Sequence, residues 1–126
     1  MKVGIIGCGA IANIITSNMI SEKEDIELAY FYDKDIERAE NLASLAGGVA
    51  VLDFEVMLDK VDLVLECASP DSVKQFAPTV LESGCDMIIM SVGAFMDIDF
   101  YMEVEKIAKK KSVTKPIKFL IFLFML

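Results

Sequence analysis

The residues best placed for chemistry lie at the start of the chain. Lys2-Val3-Gly4-Ile5-Ile6 is an apolar run of strand character, and Gly7-Cys8-Gly9-Ala10-Ile11-Ala12 follows at once. A strand, a glycine turn and then a helix is a layout suited to holding a dinucleotide by its phosphates. Gly7 permits the tight turn. Gly9 has no side chain, so a pyrophosphate can come close to the backbone. Ala12 takes the small-residue position where helix and strand pack closely. The helix then opens with free N–H groups and the positive end of its dipole.

An acid follows at a telling distance. The second apolar run, Ile26 to Tyr32, ends on Asp33, about 20 residues beyond the glycine turn, where such folds place a carboxylate for the adenosine ribose. A carboxylate there favours NAD, because it repels a 2′-phosphate. Lys34 and Arg38 are close behind, so NADP stays open as the cofactor. The competing role for Asp33 is to cap a turn before the next helix.

Other chemistries have little to build on. The chain has no histidine, which removes the commonest general acid/base and the commonest metal ligand. Its three cysteines, Cys8, Cys67 and Cys85, are odd in number and not spaced as a zinc pair, so no metal site is expected. Cys8 lies at a helix N-terminus, a position that lowers a thiol pKa. Even so, Cys8 and Cys67 read as small turn residues rather than nucleophiles. A net charge of −8 argues against nucleic acid or an anionic membrane surface as partner. The apolar start is broken by its glycine turn and does not read as a secretory signal. Free cysteines fit a reducing, cytoplasmic compartment.

Strand and helix signals alternate through the 126 residues. The spacing predicts a helix from Ala10 to about Ser21 with Ile11, Ile14, Ile15 and Met19 inward. A second helix is predicted from Asp35 to Ala46, ended by Gly47-Gly48, with Ile36, Ala39, Leu42, Ala43 and Ala46 inward. Val49 to Leu52 reads as a short strand, and Asp53 as the cap of a brief helix carrying Phe54, Met57 and Leu58. Asp62 to Cys67 is the fourth strand. Ser69-Pro70 then starts a helix with Val73, Phe76, Ala77, Val80 and Leu81 inward, stopped by Gly84. Asp86 to Ser91 is the fifth strand. The loop Val92-Gly93-Ala94 leads to a helix from about Asp97 to Lys110 with a stripe of Ile98, Tyr101, Met102, Ile107 and Ala108.

This order predicts an α/β fold, a doubly wound parallel sheet of the Rossmann type with helices on both faces. Ligands of such sheets bind beyond the carboxyl ends of the strands. Those ends carry Gly7-Cys8-Gly9, Asp33, Cys67-Ala68-Ser69 and Ser91-Val92-Gly93-Ala94, which should meet along one edge. Glu66, near the end of a buried strand, either touches a ligand or pairs with a backbone donor, and the second role is the better supported.

The chain resembles the N-terminal half of archaeal and bacterial L-aspartate dehydrogenases. The resemblance rests on Gly7-Cys8-Gly9-Ala10-Ile11, on Glu66-Cys67-Ala68-Ser69-Pro70 and above all on Ile89-Met90-Ser91-Val92-Gly93-Ala94. It covers roughly residues 1–111. It implies an NAD(P)-dependent oxidoreductase that takes a hydride from the α-carbon of aspartate and leaves an imine, in pyridine-nucleotide biosynthesis. By the same resemblance, Gly9, Ala10 and Ile11 hold the pyrophosphate. Ser91, Gly93 and Ala94 lie near the nicotinamide, with Ala94 a contact. Family members continue into a second domain with the substrate pocket and a catalytic histidine, which this sequence lacks. The expectation is therefore a cofactor-binding part that is inactive alone, with L-aspartate a partner only if that domain is supplied. A non-catalytic NAD-binding module, or the cofactor domain of a homoserine or sugar dehydrogenase, is the alternative.

Residues 1–111 are expected to form the dinucleotide-binding domain and residues 112–126 an apolar tail. Residues 117–126 read either as a sixth parallel strand or as the aberrant end of a truncated coding region, able still to dock as an edge strand. The tail is too short to span a membrane. Left unpaired, it would favour self-association into a homo-oligomer.

Overall fold

The computed structural model describes residues 1–22, 25–112 and 119–121. Among these, six strands form one sheet: β1 (Lys2–Ile6), β2 (Glu27–Tyr32), β3 (Val49–Ala50), β4 (Leu63–Glu66), β5 (Asp86–Ile89) and β6 (Phe119–Ile121). Four helices alternate with them: α1 (Ala10–Glu22), α2 (Ile36–Ala46), α3 (Pro70–Glu82) and α4 (Ile98–Lys111). Short 3₁₀ turns occupy Phe54–Met57 and Val92–Met96. The strand order is β3-β2-β1-β4-β5-β6, and every neighbouring pair is parallel. The chain winds outward from β1 to β3, then returns to β4 on the other side of β1. The switch point therefore lies between β1 and β4.

Alternation along the strands divides the core in two. On one face, Val3, Ile5, Leu28, Phe31 and Leu65 pack against Ala12 of α1 and Ala39, Leu42 and Ala43 of α2. On the other, Ile6, Val64, Met87 and Ile89 pack against Val73, Phe76, Ala77, Val80 and Leu81 of α3 and Phe100 and Val104 of α4. This is the expected doubly wound architecture. The helix-start signals also hold: Asp35, Asp53, Ser69 and Asp97 each cap the turn that follows. Gly47, in the left-handed region at φ 75°, closes α2.

Two helix faces differ from expectation. On α1 the buried residues are Ala12 and Thr16, with Ile15 and Met19 partly covered, while Ile11 and Ile14 face solvent. A close approach to the sheet requires a small residue at the contact, and Ala12 turns the helix accordingly. On α4 the buried line is Phe100, Val104 and Ala108, flanked by Tyr101 and Ile107. Ile98 and Met102 are exposed. Phe100 stacks on Phe95 of the preceding turn at 5.7 Å, which sets the rotation of the helix. β3 is also shorter than predicted: Val51 still donates to the Phe31 carbonyl, but Leu52 turns outward ahead of the Asp53 cap.

β6 pairs with β5 in the register Met87↔Phe119, Ile88↔Leu120, Ile89↔Ile121. Residues 113–118 and 122–126, including the rest of the tail anticipated from sequence, lie outside the described residues.

Candidate functional site

A cleft of about 550 Å³ opens beyond the carboxyl ends of β1, β2 and β4. Its wall includes Gly7, Gly9, Asp33, Cys67, Ala68 and Ser69. Six of the residues singled out from sequence are thus brought together at the switch point.

The glycine turn is locked from both sides. Gly7 N–H donates to the Tyr32 carbonyl at 2.8 Å, and Cys67 N–H donates to the Ile6 carbonyl at 2.8 Å. Gly7 has φ +92°, and a Cβ placed on it would lie 2.6 Å from the Ala68 backbone nitrogen. No other residue fits there. Gly9 differs: a Cβ on it would meet nothing within 4 Å. Its missing side chain leaves open space in front of the backbone rather than relieving an internal clash.

That space faces the start of α1. The other three α-helices have side-chain caps, from Asp35, Ser69 and Asp97. The residue before α1 is Gly9, which has no side chain to cap it, and no acidic residue stands in its first turn. The N–H groups of Gly9, Ala10, Ile11 and Ala12 find no acceptor among the described residues. Uncapped N–H groups beside open space, at the positive end of a helix dipole, fit a diphosphate.

Asp33 stands at the end of β2. Its Oδ2 accepts from Cys8 N–H at 2.8 Å, and its Oδ1 accepts from Asp35 N–H at 2.9 Å. The carboxylate thus shapes the turn into α2, one of the two roles weighed from sequence, and it also lines the cleft. It has lone pairs left for ribose hydroxyls. Lys34 and Arg38 line the same end; Arg38 also lies 3.7 Å from Asp35. Sequence reasoning missed Tyr32, Phe76, Asp71, Ser72 and Gln75, which also line the wall. Tyr32 and Phe76 meet edge to face at 5.6 Å and form an apolar floor. Ser72 and Gln75 follow Ser69 at helical spacing, a polar edge on α3 that could have been read.

Beyond β4 the key group is Glu66, which has no exposed surface. Its Oε2 accepts from Ala68 N–H at 2.7 Å and from Ser91 Oγ at 2.8 Å. Its Oε1 accepts from Met90 N–H at 3.1 Å and from Ser91 N–H at 2.9 Å. The carboxylate pairs with backbone donors, as anticipated, and ties the end of β4 to the end of β5. Ser91, Gly93 and Ala94 do not line the cleft. Ser91 is engaged by Glu66, Gly93 lies over Pro70, and Ala94 is fully buried in the core beneath the turn. Ala10 and Ile11 sit exposed at the mouth of α1.

Burial overrides the helix dipole at the cysteines. Cys8 is pushed up to about 12 by desolvation, and the Asp33 charge adds to this. Cys67 is likewise pushed up to about 12 by desolvation, then by Glu66 and Cys8. This corrects the expectation of a lowered Cys8 pKa. No metal-binding cluster occurs among the described residues, and no helix there is long and apolar enough to cross a membrane.

Comparison with known proteins agrees with this geometry. Over 114 residues the chain is 49% identical to an L-aspartate dehydrogenase from Methanothermobacter thermautotrophicus, covering 90% of this chain and 44% of that protein. It is 41% identical over 112 residues to an L-aspartate dehydrogenase from Methanococcus maripaludis, covering 87% and 42%. The chain thus spans less than half the length of these relatives. Among solved structures, the WlbA dehydrogenase from Chromobacterium violaceum, in complex with NADH and UDP-GlcNAcA, superposes with a TM-score of 0.83 at 16% identity, covering 97% of this chain and 34% of that one. At that identity the likeness speaks to the fold. The family model of the homoserine dehydrogenase NAD-binding domain matches residues 7–115, and the chain belongs to that family of nicotinamide-dinucleotide-binding domains.

Proposed function

We propose that the chain is the cofactor-binding part of an oxidoreductase of the L-aspartate dehydrogenase type, with residues 1–111 as its dinucleotide-binding domain. The observation that carries this reading is the uncapped start of α1 facing the open space at Gly9, with Asp33 across the cleft. The N–H groups of Gly9, Ala10 and Ile11 take the pyrophosphate. Asp33 takes the adenosine ribose, over the floor of Tyr32 and Phe76. Cys67, Ala68 and Ser69 wall the passage towards the second nucleoside, and the Ser91–Ala94 turn, held by Glu66, backs it. When bound, the nicotinamide accepts or returns a hydride. The relatives' names point to aspartate as the hydride donor. The reaction also needs a proton acceptor, and this chain has no histidine to offer. The 126-residue chain therefore binds cofactor without turning over aspartate by itself.

Lys34 and Arg38 at the Asp33 end support a second cofactor, NADP, whose 2′-phosphate they can meet. Calorimetric titration with NAD and NADP tests both readings. The wild-type chain is expected to bind at least one of them. Gly9→Val, whose Cβ would meet no protein atom within 4 Å and whose side chain extends into phosphate space, is expected to weaken binding by at least about tenfold, a cost on the order of 1.4 kcal/mol. Equal affinity in wild type and Gly9→Val would overturn the site.

A further inference from the structure

We propose that Glu66 acts as a buried charge that tunes the site towards the oxidised form of the cofactor. The inference rests on the cofactor reading above and deepens it. Glu66 has no exposed surface. All four of its hydrogen bonds engage backbone N–H groups or the Ser91 hydroxyl. With N–H donors on both oxygens, the carboxylate form satisfies this pocket. No described lysine or arginine pairs with it: the ion pairs among the described residues join Arg38 to Asp35, Lys60 to Asp59, Lys74 to Asp97 and Lys109 to Glu105. Its donors are dipoles, which stabilise a charge without cancelling it. Among the described residues the sheet interior thus holds a carboxylate with no cationic partner, in a medium that screens its charge poorly.

Its position gives that charge a target. A dinucleotide laid across the switch point puts one nucleoside beyond β2 and the other beyond β4 and β5. Asp33 marks the β2 side as the adenosine end. The nicotinamide end then lies over the strand ends that Glu66 ties together, next to Ala68, which both lines the cleft and donates to Glu66. The nicotinamide ring carries a positive charge when oxidised and none when reduced. The adenosine end is identical in the two forms, so Asp33 acts on both alike. Glu66 acts on the difference.

The test is the ratio of dissociation constants, Kd(NAD⁺)/Kd(NADH), on the full chain by calorimetry and NADH fluorescence. NADP⁺ and NADPH replace them if the protein prefers that pair. Glu66→Gln keeps the shape and removes the charge, and is expected to raise the ratio by about threefold to about tenfold. A purely structural Glu66 would weaken both forms equally. A ratio unchanged within about twofold, in proteins that bind both forms, overturns this inference alone. A wild-type chain that binds neither form overturns the cofactor site and this inference with it. Should Glu66→Gln fail to fold, Ser91→Ala decides. It withdraws one donor from the carboxylate and leaves its charge less screened, so the ratio should fall; an unchanged or raised ratio overturns the proposal.

Discussion

Cys8 stands in the middle of the glycine turn, one residue before the open space at Gly9, where helix-dipole reasoning alone would make it reactive. Its surroundings say otherwise. The residue is buried, its Sγ lies 3.5 Å from the Tyr32 carbonyl, and the Asp33 carboxylate accepts from its own N–H. A thiolate there would lose hydration and meet a negative charge, so the thiol is pushed up to about 12. Cys67 is held in the same range. Cys85 is buried and donates to the Leu58 carbonyl at 3.1 Å. Only thiolates react quickly with disulfide reagents. In native protein at about pH 8, close to an unperturbed thiol pKa, a disulfide reagent should therefore leave Cys8 and Cys67 untitrated within minutes, and burial should keep it from reaching Cys85. Guanidinium should release all three. A fast-reacting thiol in the folded protein would show that the burial holding that cysteine inert does not persist in solution.

Asp97 shows the same logic for a helix pair. It caps α4 through Phe100 N–H at 3.2 Å and pairs with Lys74 of α3 at 3.1 Å. These contacts, the Phe100 bond first and Lys74 after it, hold its carboxyl below the ordinary 3.8. A depressed folded pKa gives stability that is fully present above the unfolded value and lost as pH falls through the folded one. Asp97→Asn retains a capping side chain but not the charge. The variant should be less stable than wild type at neutral pH, and the gap should close as the pH drops below 3.8. Denaturant melts across that range check it; a gap that persists in acid would trace to packing instead. The caps at Asp53 and Ser69 were legible in sequence, and Asp35 and Asp97 were legible as helix starts. Each cap is a local hydrogen bond between near neighbours. The rotations of α1 and α4 were not legible. α1 has isoleucines on several faces, and only its seating in the core shared with α2 and this face of the sheet selects Ala12 and Thr16. The stripe of α4 depends on the Phe95–Phe100 stack, which forms across a turn. That Asp33 would stand beside the glycine turn was legible by its distance from the glycines, but its bond to Cys8 N–H needs the β1–β2 pairing. The Glu66 network needs β4 and β5 to be neighbours in register, Glu66↔Ile89.

At the scale of the whole molecule, the strand order turns scattered residues into one site. Reversal between β1 and β4 puts the glycine turn at the centre, Asp33 on one side and Glu66 with Ser69 on the other. The chain carries a net charge of −8, which by itself repels an anionic dinucleotide. The uncapped N–H groups of α1 act at contact distance, whereas exposed charges are screened over about 10 Å at moderate salt. Local donors should therefore outweigh the global charge. A ligand that bridges the two halves binds only the folded state, so it should stabilise the whole sheet. At a hundredfold excess over its Kd, NAD or NADP would add about 2.7 kcal/mol. For a domain of this size that raises Tm by roughly 8 to 13 °C. Thermal melts at increasing cofactor concentration should show Tm climbing with the logarithm of concentration. Gly9→Val should melt near the wild-type temperature without cofactor and climb by at most about half as much at the same cofactor concentrations, because the Cβ added there meets no protein atom within 4 Å and intrudes on the ligand's space. A flat wild-type series at saturating cofactor would mean that the two halves of the sheet do not share a ligand.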